Sequence, residues 1–95
     1  MDQATEIELN ERAAEGRRFA AFRDSPEFGQ VMGELIGTIK DGWFEAENDP
    51  QSLEQLNQGR LGLRLVGRRI EEKIADGLQA EESLRLERET TGDEQ

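Results

Sequence analysis

A chain of 95 residues with 22 acidic and 12 basic side chains, formal net charge −10, is one small domain at most, because so short a chain buries only about 60–65% of the surface its unfolded form exposes. Leu, Ile, Val and Phe number 10, 5, 2 and 4, a share close to the roughly 20% below which high net charge implies disorder. The absence of His, Cys and Tyr excludes imidazole catalysis, thiol chemistry, disulfides and ordinary zinc sites, and the acidic balance disfavours binding to a nucleic-acid backbone.

Met1 to Glu6 contains no basic start and no apolar run, so no secretory signal is expected there. Flexible ends are expected over 1–5 and 90–95. Thr5-Glu6-Ile7-Glu8 reads as a capping box, and the Ala-, Glu- and Arg-rich stretch after it predicts a first helix over 6–23. Its apolar stripe is weak: Ile7, Ala14 and Ala21 at sevenfold spacing, with Phe19 and Phe22 near the end.

Asp24-Ser25-Pro26-Glu27 is a restart signal, with Ser25 as cap, Pro26 at the first helical position and Glu27 beside the positive end of the helix. Phe28, Val31, Met32, Leu35, Ile39, Trp43 and Ala46 follow at steps of three and four. They form a core-facing stripe and predict a second helix over 26–47. Asn48-Asp49-Pro50 ends it, because the residue before Pro avoids the α region. Pro50 then opens a third helix over 50–75, whose stripe is Leu53, Leu56, Leu63, Val66, Ile70 and Ile74. Asp76-Gly77 reads as its end, with Gly accepting a left-handed conformation. A short fourth helix is expected over 78–89.

So short a connection makes consecutive helices antiparallel neighbours. The expected fold is all-α, a single small domain. Its centre is an antiparallel αα-hairpin of two long helices, with a shorter N-terminal helix and a short C-terminal one. The hairpin core is expected from Phe28, Met32, Leu35, Ile39, Trp43, Leu56, Leu63, Ile70 and Ile74, with Gly67 admitting Trp43.

Several residues leave that core. Gly29, Gly33 and Gly37 repeat every fourth position; they read as a smooth ridge for a neighbouring helix, as tolerated destabilisation of up to ~1 kcal/mol each, or as a bend in the helix. Phe44 points away from Trp43 and is a candidate intermolecular contact. Leu61 and Leu65 face the back of the third helix, where the first helix or a second copy could cover them. Arg60, Arg64 and Arg68 make one row at fourfold spacing, either a grip for phosphate or a partner's carboxylates or a solvated face. Between Arg60 and Lys73, five cations and two anions give +3.

Enzyme chemistry is not expected. A catalytic carboxyl pair needs an apolar pocket and a cleft, whereas Asp and Glu fall on polar faces here. Gly59-Arg60-Leu61-Gly62 lacks the Gly-Lys-Ser/Thr of a phosphate loop, and Glu47-Asn48-Asp49 lacks calcium-loop spacing. No catalytic residue, metal site, cofactor or small-molecule substrate is expected. No stretch approaches the ~20 apolar residues of a membrane span, so a cytoplasmic protein off the membrane is expected.

Arg17-Arg18-Phe19-Ala20-Ala21, Ser25 to Phe28, an amphipathic helix ending in Trp43, Asp49-Pro50 and a closing Asp76-Gly77 make an outline over about residues 17–77. It resembles small uncharacterised helical proteins of tailed bacteriophages. That resemblance implies a phage protein in the host cytoplasm or the virion, with a part in assembly, scaffolding or packaging. The expected function is a non-enzymatic protein–protein interaction or oligomerisation module, with a protein partner, further copies of itself, or both, and with nucleic acid disfavoured. The alternative is an acidic inhibitor that imitates nucleic acid, of the anti-restriction or anti-CRISPR type.

Overall fold

A computed structural model describes the backbone of residues 1–93 and the side chains of residues 1–90. It contains three helices and, among the described residues, no strand. Helix α1 spans Gln3–Arg23, α2 spans Pro26–Ala46 and α3 spans Pro50–Asp93.

Local chemistry sets most of the boundaries. Asp2, not Thr5, caps α1: the Thr5 amide donates to Asp2 Oδ1 at 2.7 Å and the Glu6 amide to the Asp2 carbonyl at 3.0 Å. A carboxylate at that place accepts an otherwise unpaired helix amide, so the helix begins three residues before the expected start. Ser25 caps α2, its hydroxyl accepting from the Phe28 amide at 3.2 Å, and Pro26 begins the helix. Glu47 closes α2 with φ 48°. Ser52 then donates to Asp49 Oδ2 at 2.6 Å in the first turn of α3.

The largest departure from expectation is at Asp76-Gly77, where no helix end occurs. The helices expected over 50–75 and 78–89 are one helix of 44 residues, and Gly77 keeps a negative φ. Residues 90–93, expected as a flexible end, are helical, while 94 and 95 lie outside the described residues. A single glycine costs a helix about 1 kcal/mol, and good helix formers stand on both sides of this one. Its lack of a side chain is also what the packing there requires.

The chain divides into two compact units: Met1–Phe22 with the stretch from Ile70 onward, and Arg23–Arg69. In the first unit α1 packs on the later part of α3. Leu9, Ala13, Ala80 and Leu84 form its buried cluster, and Ile70, Ile74, Gly16 and Gly77 are buried as well. Glu15 meets Lys73, Arg12 meets Asp76 and Met1 meets Glu87, so along this series the partner comes earlier in the first segment as it comes later in α3, as antiparallel packing requires. At Gly16 and Gly77 the two backbones touch. A Cβ built on Gly16 would lie 2.7 Å from the Gly77 Cα, and one on Gly77 would lie 2.6 Å from the Gly16 Cα.

Ion pairs flank this seam. Arg12 forks onto Asp76, with Nη2 to Oδ1 at 2.6 Å and Nε to Oδ2 at 3.0 Å. Lys73 meets Glu15 at 2.7 Å and Arg17 meets Glu81 at 2.6 Å. The Met1 amine meets Glu87 at 2.7 Å. Arg12 and Glu15 carry opposite charges, as do their partners Asp76 and Lys73, so a shifted register would set like charges together. The first helix's stripe therefore lies on a different face from the expected one: Ile7 is half exposed, and Leu9, Ala13 and Gly16 face inward.

The second unit is built differently. Within it, α2 meets the early part of α3: a Cβ on Gly42 would lie 2.7 Å from a Leu56 methyl, and Ile39 reaches the Gly59 position. None of its residues is fully buried. Of the expected core, Phe28, Met32, Ile39, Leu56 and Leu63 are half-buried, and Leu35 and Trp43 are exposed. Ile70 and Ile74 are buried but belong to the first unit. A Cβ on Gly67 would meet nothing within 4 Å, so Trp43 does not rest on it. Two helices expose most of each apolar stripe unless a third element covers them, and this unit has none.

Candidate interaction surface

The apolar periodicity that makes α2 amphipathic also leaves it unfinished. Val31, Leu35, Ile36, Trp43, Leu61 and Val66 are each about half exposed, Leu65 is 62% exposed and Phe44 is 84% exposed. Scattered exposed apolar residues are ordinary, so the candidates for contact with another molecule are those that line one hollow together.

One part of this surface is a groove of about 450 Å³ between α2 and the early part of α3. Met32, Ile36, Ile39 and Trp43 line it from α2 and Leu63 from α3. Its charged lining residues are all cations: Lys40 on α2, and Arg60 and Arg64 on α3. Arg60 donates to Asn57 Oδ1 at 3.1 Å. No carboxylate pairs with Lys40, Arg60, Arg64 or Arg68 among the described residues. The contrast with the first unit is sharp, since Arg12, Arg17, Lys73 and Arg85 there are all held by carboxylates.

The contacts expected from sequence divide between two places. Arg60 and Arg64 stand on the groove, whereas Arg68, Leu61 and Leu65 lie together with Arg64 along α3. Gly29, Gly33 and Gly37 are open, with nothing within 4 Å of a Cβ built on any of them. Phe44 projects into solvent.

Sequence reasoning missed the pairing of Gly16 with Gly77. Its signal was present as Leu9, Ala13, Gly16 and Ala20 at steps of four, three and four, and as Ile70, Ile74, Gly77 and Ala80 at steps of four, three and three. Glycine and alanine carry little hydropathy, so a search for greasy stripes passes over such a seam.

Ionisation in the first unit follows its ion pairs. Hydrogen bonds from Arg12 hold the Asp76 carboxyl below its ordinary value, and Lys73 does the same for Glu15. Arg85 lowers Glu82, and the Thr5 amide lowers Asp2. Glu87 raises the Met1 amine. These are structural pairs along helix flanks, and none of them lines the groove.

The class defined by fold and surface is a small all-helical protein with one packed helix pair and one apolar, unfinished pair. No helix among the described residues is long and apolar enough to cross a membrane. No protein-family model, curated protein or solved structure matches the chain.

Proposed function

We propose that the protein is a non-enzymatic interaction module: an α2/α3 helical hairpin completed by another polypeptide, either a second copy or a component of a larger assembly. The resemblance to tailed-phage proteins makes virion assembly, scaffolding or packaging the setting of this reading, in the host cytoplasm or in the particle. The single observation that carries it is the absence of any fully buried residue in the second unit beside its exposed Trp43, Phe44 and Leu65. Burying such side chains yields about 1.5–3 kcal/mol each when complete, and the part not yet realised, less than half for Trp43 and most of it for Phe44, is available to a partner.

Nucleic-acid mimicry, the second class, draws on the anions of the first unit. DNA presents about one charge per 1.7 Å of axis, whereas Arg12, Arg17, Lys73 and Arg85 interrupt the acidic faces here. Interaction through apolar surface is the better supported reading.

Light scattering over a range of concentrations, combined with acrylamide quenching of Trp43, tests it. Either of two results supports the module: a mass above that of one chain which falls in Phe44→Ser/Leu65→Ser, or a monomer whose Trp43 is readily quenched. A monomer with a shielded Trp43 would mean that the chain covers its own surface, and the reading would fail.

A further inference from the structure

The geometry points to one kind of occupant for the groove between α2 and the early part of α3: an amphipathic α-helix whose apolar stripe is flanked by carboxylates. This rests on the interaction-module reading and names the chemistry of the partner. The lining from Met32 to Trp43 covers about three turns of α2 at 1.5 Å per residue, the length over which a docked helix presents anchors at i, i+3 or i+4, and i+7. The walls fix the charge. Lys40 stands on one helix and Arg60 and Arg64 on the other, and no carboxylate of the described chain pairs with any of the three. A helix with acidic residues on both sides of its stripe meets cations on both walls. A fatty-acid-like amphiphile carries its one carboxylate at one end and leaves a wall unpaired. A second copy docking groove to groove would bring two cationic rims together.

Trp43, the only tryptophan, lines the groove and reports occupancy in the full-length chain. The probes are two designed 18-residue helical peptides with the same leucine stripe, one flanked by Glu and the other by Lys. With the chain at net charge −10, non-specific attraction favours the Lys peptide, so a preference for the Glu peptide has to come from the local rim.

We expect the Glu peptide to blue-shift Trp43 emission and to bind at least about ten-fold more tightly than the Lys peptide, with the preference shrinking as salt screens the rim. In Lys40→Glu/Arg64→Glu the preference should reverse, with helical content checked by circular dichroism. The single variant Arg64→Gln, which adds no like charge, should weaken the Glu peptide alone. Equal binding, preference for the Lys peptide, no response from Trp43, or a shift produced by dodecanoate and not by the Glu peptide would each overturn the inference. A shielded Trp43 in a monomeric chain before any peptide is added would instead sink the broader module reading.

Discussion

Glycine has opposite meanings at different positions in this chain. At Gly16 and Gly77 a methyl group would enter backbone, at 2.7 and 2.6 Å, and neither backbone can move without opening the seam. Gly16→Ala or Gly77→Ala should therefore destabilise the protein by about 1–3 kcal/mol or more, as overpacking does, read as a lower midpoint in urea. Gly33 and Gly37 face open space, so Gly33→Ala and Gly37→Ala should each stabilise the isolated chain by up to about 1 kcal/mol through helix propensity. If a partner helix lies on that ridge, the same changes will weaken the complex while strengthening the free chain. Gly42 is intermediate, because its near neighbour is the flexible end of Leu56. Glu47 holds φ 48° at the close of α2, where a side chain is strained; Glu47→Gly should raise stability by about 1 kcal/mol in the same urea measurement.

Among the elements, α2 was the most legible. Its Ser-Pro start and its stripe of bulky apolar residues at helical spacing are strong local signals, and the helix lies at Pro26–Ala46, one residue from the expected end. The start of α3 at Pro50 was equally legible, because proline acts on the backbone itself. The end of α3 was not. Gly77 has the chemistry of a terminator, and only the approach of Gly16 from α1, a long-range fact, gives it a role inside a helix. The pairing of α1 was hidden for the same reason, its seam being made of Ala13, Gly16, Ala80 and Gly77 with one leucine pair. At the candidate surface, Phe44, Leu61 and Leu65 are exposed, but so are Leu35, Trp43 and Val66 from the expected core-facing stripes, and the groove joining Lys40 to Arg60 and Arg64 depends on how two helices meet.

The ion pairs along the α1 seam give it a pH dependence of known sign. Asp76 and Glu15 are held below their ordinary values of 3.8 and 4.5, so their stabilising effect is fully present above those values. It is lost as pH falls below them and through the lowered ones. The Met1 amine is held above 8.0, so its pair with Glu87 contributes below that value and fades as alkali deprotonates the amine. Thermal melts followed by far-ultraviolet circular dichroism should show the acid loss, and Arg12→Gln/Lys73→Gln should flatten it.

For the molecule as a whole, charge and packing divide along the same line. Arg23–Arg69 holds eight anions and six cations, net −2, and the rest of the sequence holds 14 and six, net −8. The more acidic unit contains every fully buried residue among those described, and the less acidic one contains none. Leu84, buried in the seam, should cost about 2–5 kcal/mol as Leu84→Ala. Leu65, 62% exposed, should cost the free chain little as Leu65→Ser. On the proposed reading, stability that is uneven in this way leaves one helix pair folded on its own contacts and the other strengthened by what docks against it.

Native-state hydrogen exchange on the isolated full-length chain tests this division most directly. Amides of α1 and of α3 beyond Ile70 should be the slow set, and those of α2 and of α3 before Arg69 should exchange at least about ten-fold faster, slowing when the Glu-flanked peptide is bound. Uniform protection across all three helices in a monomeric chain would contradict the account.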